Sequence, residues 1–203
     1  MIIHINGPAG SGKSTLGRKI AKDKRFVVIE SDIIDDANAV KIIKDKKYDN
    51  LFTMKNVDKF FKLLKQKSED SLDDILDKIE DSGKIAVVVG LIIDVKDADK
   101  KYYIKIDLDT LYKNIHNRTF NDICDNKNEI NKLLKKEKNI HKINMLLLYK
   151  YKIRTPVPLI PPKIEEDIKN GEKQAKKDKF KIMTVDNIYK EILKLKNTEI
   201  KKL

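Results

Sequence analysis

Short apolar runs alternate along the chain with stretches whose apolar residues recur at helical spacing. The four apolar residues 26–29 lack any polar alternation, which is typical of a strand buried on both faces of a sheet. Residues 85–89 are the most apolar and β-branched run and predict a central strand. Further strands are predicted at 2–5, 102–106 and 180–185. Strands that alternate with helices indicate an α/β protein with a doubly wound, parallel five-stranded sheet.

In the segments between these predicted strands, apolar residues recur at helical spacing. A helix is predicted to follow the glycine-rich segment 7–12, and the apolar positions between 57 and 79 fit two amphipathic helices. Ser68 or Ser71 could start the second of these helices. Residues 121–152 are rich in lysine and mostly helical in pattern.

Composition favours a single domain over residues 1–203. Hydrophobic residues make up 40% of the chain and charged residues 37%, so it can build a core beneath a highly charged surface. Cys124 is the one cysteine, and no apolar run approaches the roughly 20 residues of a membrane-spanning helix. We therefore expect a cytoplasmic protein without a membrane partner.

The net charge of +12 is uneven along the chain. Residues 121–203 carry 21 basic and 12 acidic side chains, a net charge of +9. Lysine accounts for 40 of the 44 basic residues, and a coding bias toward lysine explains such an excess without any partner. A nucleic-acid partner bound through this basic C-terminal part is the alternative.

The clearest chemical signal is a glycine-rich segment between the first predicted strand and the first helix. It reads Gly7, Pro8, Ala9, Gly10, Ser11, Gly12, Lys13 and Ser14, and it matches the phosphate-binding loop (P-loop) pattern in full. Main-chain amides of such a loop bind phosphate, and the following helix directs its positive end there. We expect this segment and Thr15 to bind ATP, with Lys13 on the terminal phosphates and Ser14 on Mg²⁺.

The beginning of the chain resembles the small P-loop kinase superfamily, which includes nucleoside monophosphate kinases and shikimate kinases. The likeness rests on the P-loop and on the acidic cluster Glu30, Ser31 and Asp32 after the second strand. It covers residues 1–36 and extends to about residue 120. The resemblance implies a P-loop NTPase fold with strand order 2-3-1-4-5 and helices on both faces. It also implies an ATP- and Mg²⁺-dependent kinase.

Asp32 is the candidate catalytic carboxylate. The run 85–89 ends in Gly90, which resembles the shikimate-kinase version of this strand, where glycine replaces the usual acid. The resemblance then implies that the acid comes from another strand, with Asp32 as a Mg²⁺ ligand or as the base for the acceptor hydroxyl. Asp35 and Asp36 are further candidates. The alternative is that Asp32 or Asp35 caps a helix.

Two arginines are candidates for neutralising charge on the transferred phosphoryl group. Arg118 looks similar in position to the superfamily's lid arginine, and residues 119–160 are expected to form a lid or insert. Arg154 could fold back over the phosphates or hold an acceptor phosphate. A surface ion pair is the alternative for Arg118.

Three functions stay open from the sequence. The first is transfer of a phosphoryl group from ATP to a small acceptor, most simply a nucleotide or nucleoside. The second is a polynucleotide 5′-kinase, and the third is a nucleotide-binding module without turnover. No arginine lies between Arg25 and Arg118, where a monophosphate kinase would use one to hold the acceptor phosphate, so the acceptor need not be a simple nucleotide.

Overall fold

In a computed structural model, the chain forms a parallel sheet with helices packed around it. The structure describes residues 1–53, 55–90, 95, 97–151 and 161–195, and within these it describes every side chain except those of residues 116, 118–124 and 161–164. The strands are β1 Ile2–Asn6, β2 Phe26–Glu30, β3 Ile85–Val89, β4 Lys100–Ile104 and β5 Lys181–Met183. The α-helices are α1 Lys13–Ile20, α2 Ser31–Lys44, α3 Val57–Asp81, α4 Leu108–Lys136, α5 Ile140–Tyr149, α6 Pro161–Lys177 and α7 Val185–Leu193, and a 3₁₀ helix spans Lys46–Leu51.

All strand pairs in the sheet are parallel, and their order is β2-β3-β1-β4-β5. This confirms the predicted five-stranded sheet and its order. Val89 of β3 lies opposite both Ile5 of β1 and Glu30 of β2. The carboxyl ends of these three strands are therefore level, and they share one edge of the sheet with the segment that follows β1.

The core lies on both faces of the sheet because alternate residues of each strand point to opposite sides. On one face, Val87 belongs to a buried cluster with Leu16 of α1 and Ile188 of α7. On the other face, Val88 belongs to a cluster with Leu72 of α3. The continuous burial of β3 follows from this two-sided packing and agrees with the prediction of a central strand.

The segment predicted as two helices between 57 and 79 is the single helix α3. Neither serine interrupts it: the Ser71 hydroxyl donates to the carbonyl of Lys67 one turn back, and Ser68 is fully buried. A serine that bonds to its own helix in this way satisfies its hydroxyl without ending the helix.

The fourth strand ends earlier than predicted, at Ile104 rather than at residue 106. The Asp107 carboxylate accepts a hydrogen bond from the Thr110 amide at 2.8 Å and caps α4, so the chain already turns into a helix there. The fifth strand is also shorter than predicted. Phe180, which precedes it, packs instead in a buried cluster with Tyr103 and Ala175.

Helices α2, α3 and α5 pack together beside the sheet, and we call them the helical cap. Phe60 of α3 is fully buried there and contacts the Tyr149 ring of α5 at 6.0 Å between centroids. Lys142 of α5 forms an ion pair with Asp49 at 2.5 Å. Part of the segment predicted as a lid, residues 119–160, therefore lies against α2 and α3; its role as a lid stays a prediction.

Within the described residues, no helix combines the length and the apolar composition that a membrane span requires.

Candidate phosphate-binding site

The P-loop segment forms the connection between β1 and α1. The Ser11 amide donates to the Pro8 carbonyl at 3.1 Å, and Gly10 between them has φ +83°. This matches a type II turn, whose third residue needs a positive φ and so favours glycine. Gly12, with φ +90°, then begins α1 as its N-cap residue. The segment thus has positive φ angles at Gly10 and Gly12, in agreement with the glycine-rich turn that the sequence predicts.

Lys13 is the first residue of α1, and its side chain turns back onto the loop. Its Nζ donates to the carbonyls of Gly7 at 2.7 Å and Pro8 at 2.9 Å, and the residue is only 7% exposed. The first amides of a helix have no acceptor within that helix, and those of α1 follow directly on this loop. A buried ammonium group and helix-end amides therefore converge on one loop, which suits an anion.

Ser11 adds a buried polar atom to this loop. Its hydroxyl has no hydrogen-bond partner among the described residues, and the residue is 3% exposed. A Cβ on Gly7 would lie 2.9 Å from that hydroxyl, so residue 7 has room only for glycine. Ser14 is half-buried and Thr15 is exposed, both in the first turn of α1. The residues predicted to bind ATP are thus contiguous around one turn.

Asp32 lies in the first turn of α2, at the same edge of the sheet as the loop. The register places Gly90, just after β3, level with the ends of β1 and β2. A Cβ on Gly90 would lie 1.8 Å from Ser31 Oγ and 3.1 Å from Asp32 Oδ1. The Asp32 carboxylate therefore lies against the space where a side chain of residue 90 would begin, as expected if Asp32 supplies the acid that β3 lacks.

Helix α2 begins at Ser31 with Glu30 as its N-cap residue, so the alternative in which Asp32 or Asp35 caps the helix is wrong. The chain passes directly from β2 into α2, and both aspartates lie inside the helix.

Asp35 is 1% exposed, and its carboxyl group lies beside Ser68 of α3. Burial raises the pKa of the Asp35 carboxyl above its ordinary value of 3.8, and the neighbouring carboxylates of Asp32 and Asp36 raise the pKa further, although the Ser68 hydroxyl opposes them. Such a closed-off carboxyl group is badly placed to bind a metal ion.

The two candidate lid arginines lie partly or wholly outside the described residues. Position 118 belongs to α4, but the side chain of Arg118 lies outside the described residues, and so does Arg154 as a whole. Their predicted roles therefore stay predictions.

One hydrogen bond to the loop could not be predicted from the sequence. Asn114 of α4 donates from Nδ2 to the Gly10 carbonyl at 2.8 Å, across 104 positions of sequence. No motif marks Asn114, and nothing in its spacing to other residues could have indicated this partner.

The site fits magnesium in the way that nucleotide sites use it. Among the residues that the structure describes, no three His, Cys, Asp or Glu side chains cluster to form a ready metal site. Mg²⁺ with a nucleotide, however, needs only one or two protein oxygens, because phosphates and water supply the rest. The Ser14 hydroxyl and the Asp32 carboxylate are the oxygens at this edge that match that need.

No protein-family model and no curated protein matches this chain.

Proposed function

We propose that this protein is a P-loop NTPase-fold kinase that transfers the γ-phosphoryl group of ATP to a small acceptor, most simply a nucleotide or nucleoside. The observation that carries the proposal is the turn between β1 and α1, where the buried Lys13 ammonium lies on the carbonyls of Gly7 and Pro8. Asp32 at the same sheet edge adds the carboxylate that the proposed phosphoryl transfer needs for Mg²⁺ or for the acceptor proton.

Positioning and charge supply the catalysis in this proposal. The loop amides and Lys13 hold the β- and γ-phosphates of ATP. Ser14 and Asp32 would hold Mg²⁺, which neutralises charge on the phosphate oxygens when bound. The acceptor hydroxyl attacks the γ-phosphorus, the bond to the β–γ bridging oxygen breaks, and ADP leaves. In its alternative role, Asp32 leaves Mg²⁺ to Ser14 and takes the proton of the attacking hydroxyl.

Arg118 and Arg154 have the remaining role. One of these arginines, both of which follow the start of α4, would neutralise negative charge on the equatorial oxygens of the transferred phosphoryl group. It would also help to exclude water from the site. Arg118 and Arg154 are the two arginines after Arg25 in the sequence, and the other basic residues of that stretch are lysines, which lack the planar, bidentate guanidinium group.

A panel of acceptors with labelled ATP tests the proposal. Purified protein is incubated with Mg²⁺, ATP and, separately, nucleosides, nucleoside monophosphates and sugars. We expect label in one small acceptor and none with Lys13→Ala. ATP binding without ADP above background in the whole panel would instead indicate a binding module without turnover.

A polynucleotide 5′-kinase is the second candidate, favoured by the net charge of +9 in residues 121–203. For this activity, transfer to an oligonucleotide 5′-hydroxyl should weaken steeply as salt rises, because lysines on the phosphate backbone release counterions. Transfer to a small acceptor in the same assay, with little dependence on salt, excludes this candidate.

A further inference from the structure

The contact between α4 and the P-loop fixes a single peptide plane. The bond between Gly10 and Ser11 is part of the loop turn, and its two polar groups point in opposite directions because a trans peptide is planar. The Ser11 amide donates into the loop, to the Pro8 carbonyl at 3.1 Å. The Gly10 carbonyl accepts from Asn114 Nδ2 at 2.8 Å on the other side. Both ends of this plane are therefore held.

Apolar side chains of α4 pack closely against the Cα of Gly10. A Cβ on Gly10 would lie 2.9 Å from Ile115 Cγ1 and 3.2 Å from Leu111 Cδ1. Leu111, Asn114 and Ile115 are spaced three and four residues apart, so one face of α4 covers the turn. Leu111 is 2% exposed, which shows that this face is well packed.

We propose that Asn114 is a positioning residue for phosphate binding: through the Gly10 carbonyl it holds the loop in the shape that presents its amides to the triphosphate. This inference rests on the proposed function. Asn114 acts through the loop backbone and needs no contact with the nucleotide base. Loss of Asn114 removes one of the two hydrogen bonds that hold the Gly10–Ser11 peptide plane. The loop amides are then less well ordered before the ligand binds, and part of the binding free energy is lost in ordering them.

Two ligands separate this role from a contact with the base. Calorimetric titrations use Mg²⁺-ATP and inorganic tripolyphosphate with Mg²⁺, on the full chain and on the variants Asn114→Ala and Asn114→Leu. The leucine side chain has as many heavy atoms as that of asparagine but cannot donate a hydrogen bond. The control is Asn128→Ala, which removes an exposed asparagine from the same helix, more than three turns further on.

We expect both Asn114 variants to bind both ligands about 3- to 10-fold more weakly, as the loss of one hydrogen bond implies. Asn128→Ala should bind like the wild type, and thermal melting without ligand should be nearly the same for all proteins because the Asn114 contact is exposed. Unchanged affinities in the Asn114 variants would overturn the inference. Weaker ATP binding with unchanged tripolyphosphate binding would also overturn it, because the residue would then act on the base or sugar.

Failure of the proposed function gives a different result. A wild-type protein that binds neither ligand overturns the phosphate site itself, and the positioning role with it. Wild-type binding that Lys13→Ala abolishes and Asn114→Ala leaves intact rejects only the role of Asn114.

Discussion

The carboxyl edge of the sheet and the helical cap are packed in different ways. At the edge, added carbon atoms would collide with their neighbours: a Cβ on Gly90 would lie 1.8 Å from Ser31 Oγ. In the cap, apolar side chains surround Phe60, and the Lys142–Asp49 ion pair lies at the rim. We therefore expect substitutions at the edge to lower the catalytic rate strongly. Substitutions in the cap should change the free energy of unfolding by small amounts.

The largest effect is expected for Asp32→Asn. Loss of the carboxylate should lower kcat by about 100- to 1000-fold, the usual contribution of a general base. The free energy of unfolding should hardly change because Asp32 is only half-buried. Steady-state kinetics with the acceptor from the panel, together with thermal melting, measure both quantities. Asp77→Asn removes the same charge from the exposed side of α3 as a control; equal losses in the two variants would contradict a role for Asp32.

Gly90→Ala should lower the free energy of unfolding by about 1–3 kcal/mol through overpacking, and it should reduce activity because Ser31 and Asp32 must move. Gly83→Ala is the matched control. Gly83 has φ +66° but open space, so its cost of about 1 kcal/mol comes from the backbone alone. Chemical denaturation measures both, and Ser31→Ala in the Gly90→Ala background should recover part of the loss. A Gly90→Ala protein with wild-type stability and activity would show that the edge is not tightly packed.

In the cap, Asp35→Asn should stabilise the protein by on the order of 1 kcal/mol at pH 7. Burial raises the pKa of Asp35, so the folded state favours the protonated carboxyl group. The protonated carboxyl group makes its full contribution to the free energy of unfolding below pH 3.8, the ordinary pKa of aspartate. That contribution is lost as the pH rises through the pKa of Asp35 in the folded state. Denaturation from pH 3 to 8 should show this loss in the wild type and its absence in the variant. A variant that is less stable at pH 7 would reveal a partner for the charged form.

The smallest effect is expected for Asp49→Asn at the rim of the cap. Its pair with Lys142 is exposed on the aspartate side, so its loss should cost less than about 1 kcal/mol and less still at high salt. A double-mutant cycle with Lys142→Met measures the coupling energy. Coupling well above that value would mean that α5 is attached to the cap by charge rather than by packing around Phe60.

The same contrast explains how much could be predicted from the sequence. The parallel five-stranded sheet and the glycine-rich turn before α1 were predictable because both depend on short, contiguous patterns, such as the apolar run of β3 and the glycines before Lys13. The strand order was predicted from the family resemblance. The use of Asp32 in place of an acid at position 90 was also predicted only from the family resemblance. The contact of Asn114 with Gly10 and the place of α5 on α2 and α3 were not predictable, because they join surfaces that no local pattern relates.

The length of α3 shows a second limit. Ser68 and Ser71 resemble helix starts in sequence, but one is buried against α2 and the other bonds to the Lys67 carbonyl. Tertiary packing thus decides whether a serine begins a helix or lies within one.

The central claim is that the turn between β1 and α1 binds the phosphates of a nucleotide, and a calorimetric titration with Mg²⁺-ATP tests it most directly. We expect heat of binding with the wild type, an affinity about 10- to 100-fold lower for Lys13→Ala, and no change for Lys22→Ala, which removes an exposed lysine just after α1. No binding by the wild type at millimolar nucleotide, or equal affinity in Lys13→Ala, would contradict it.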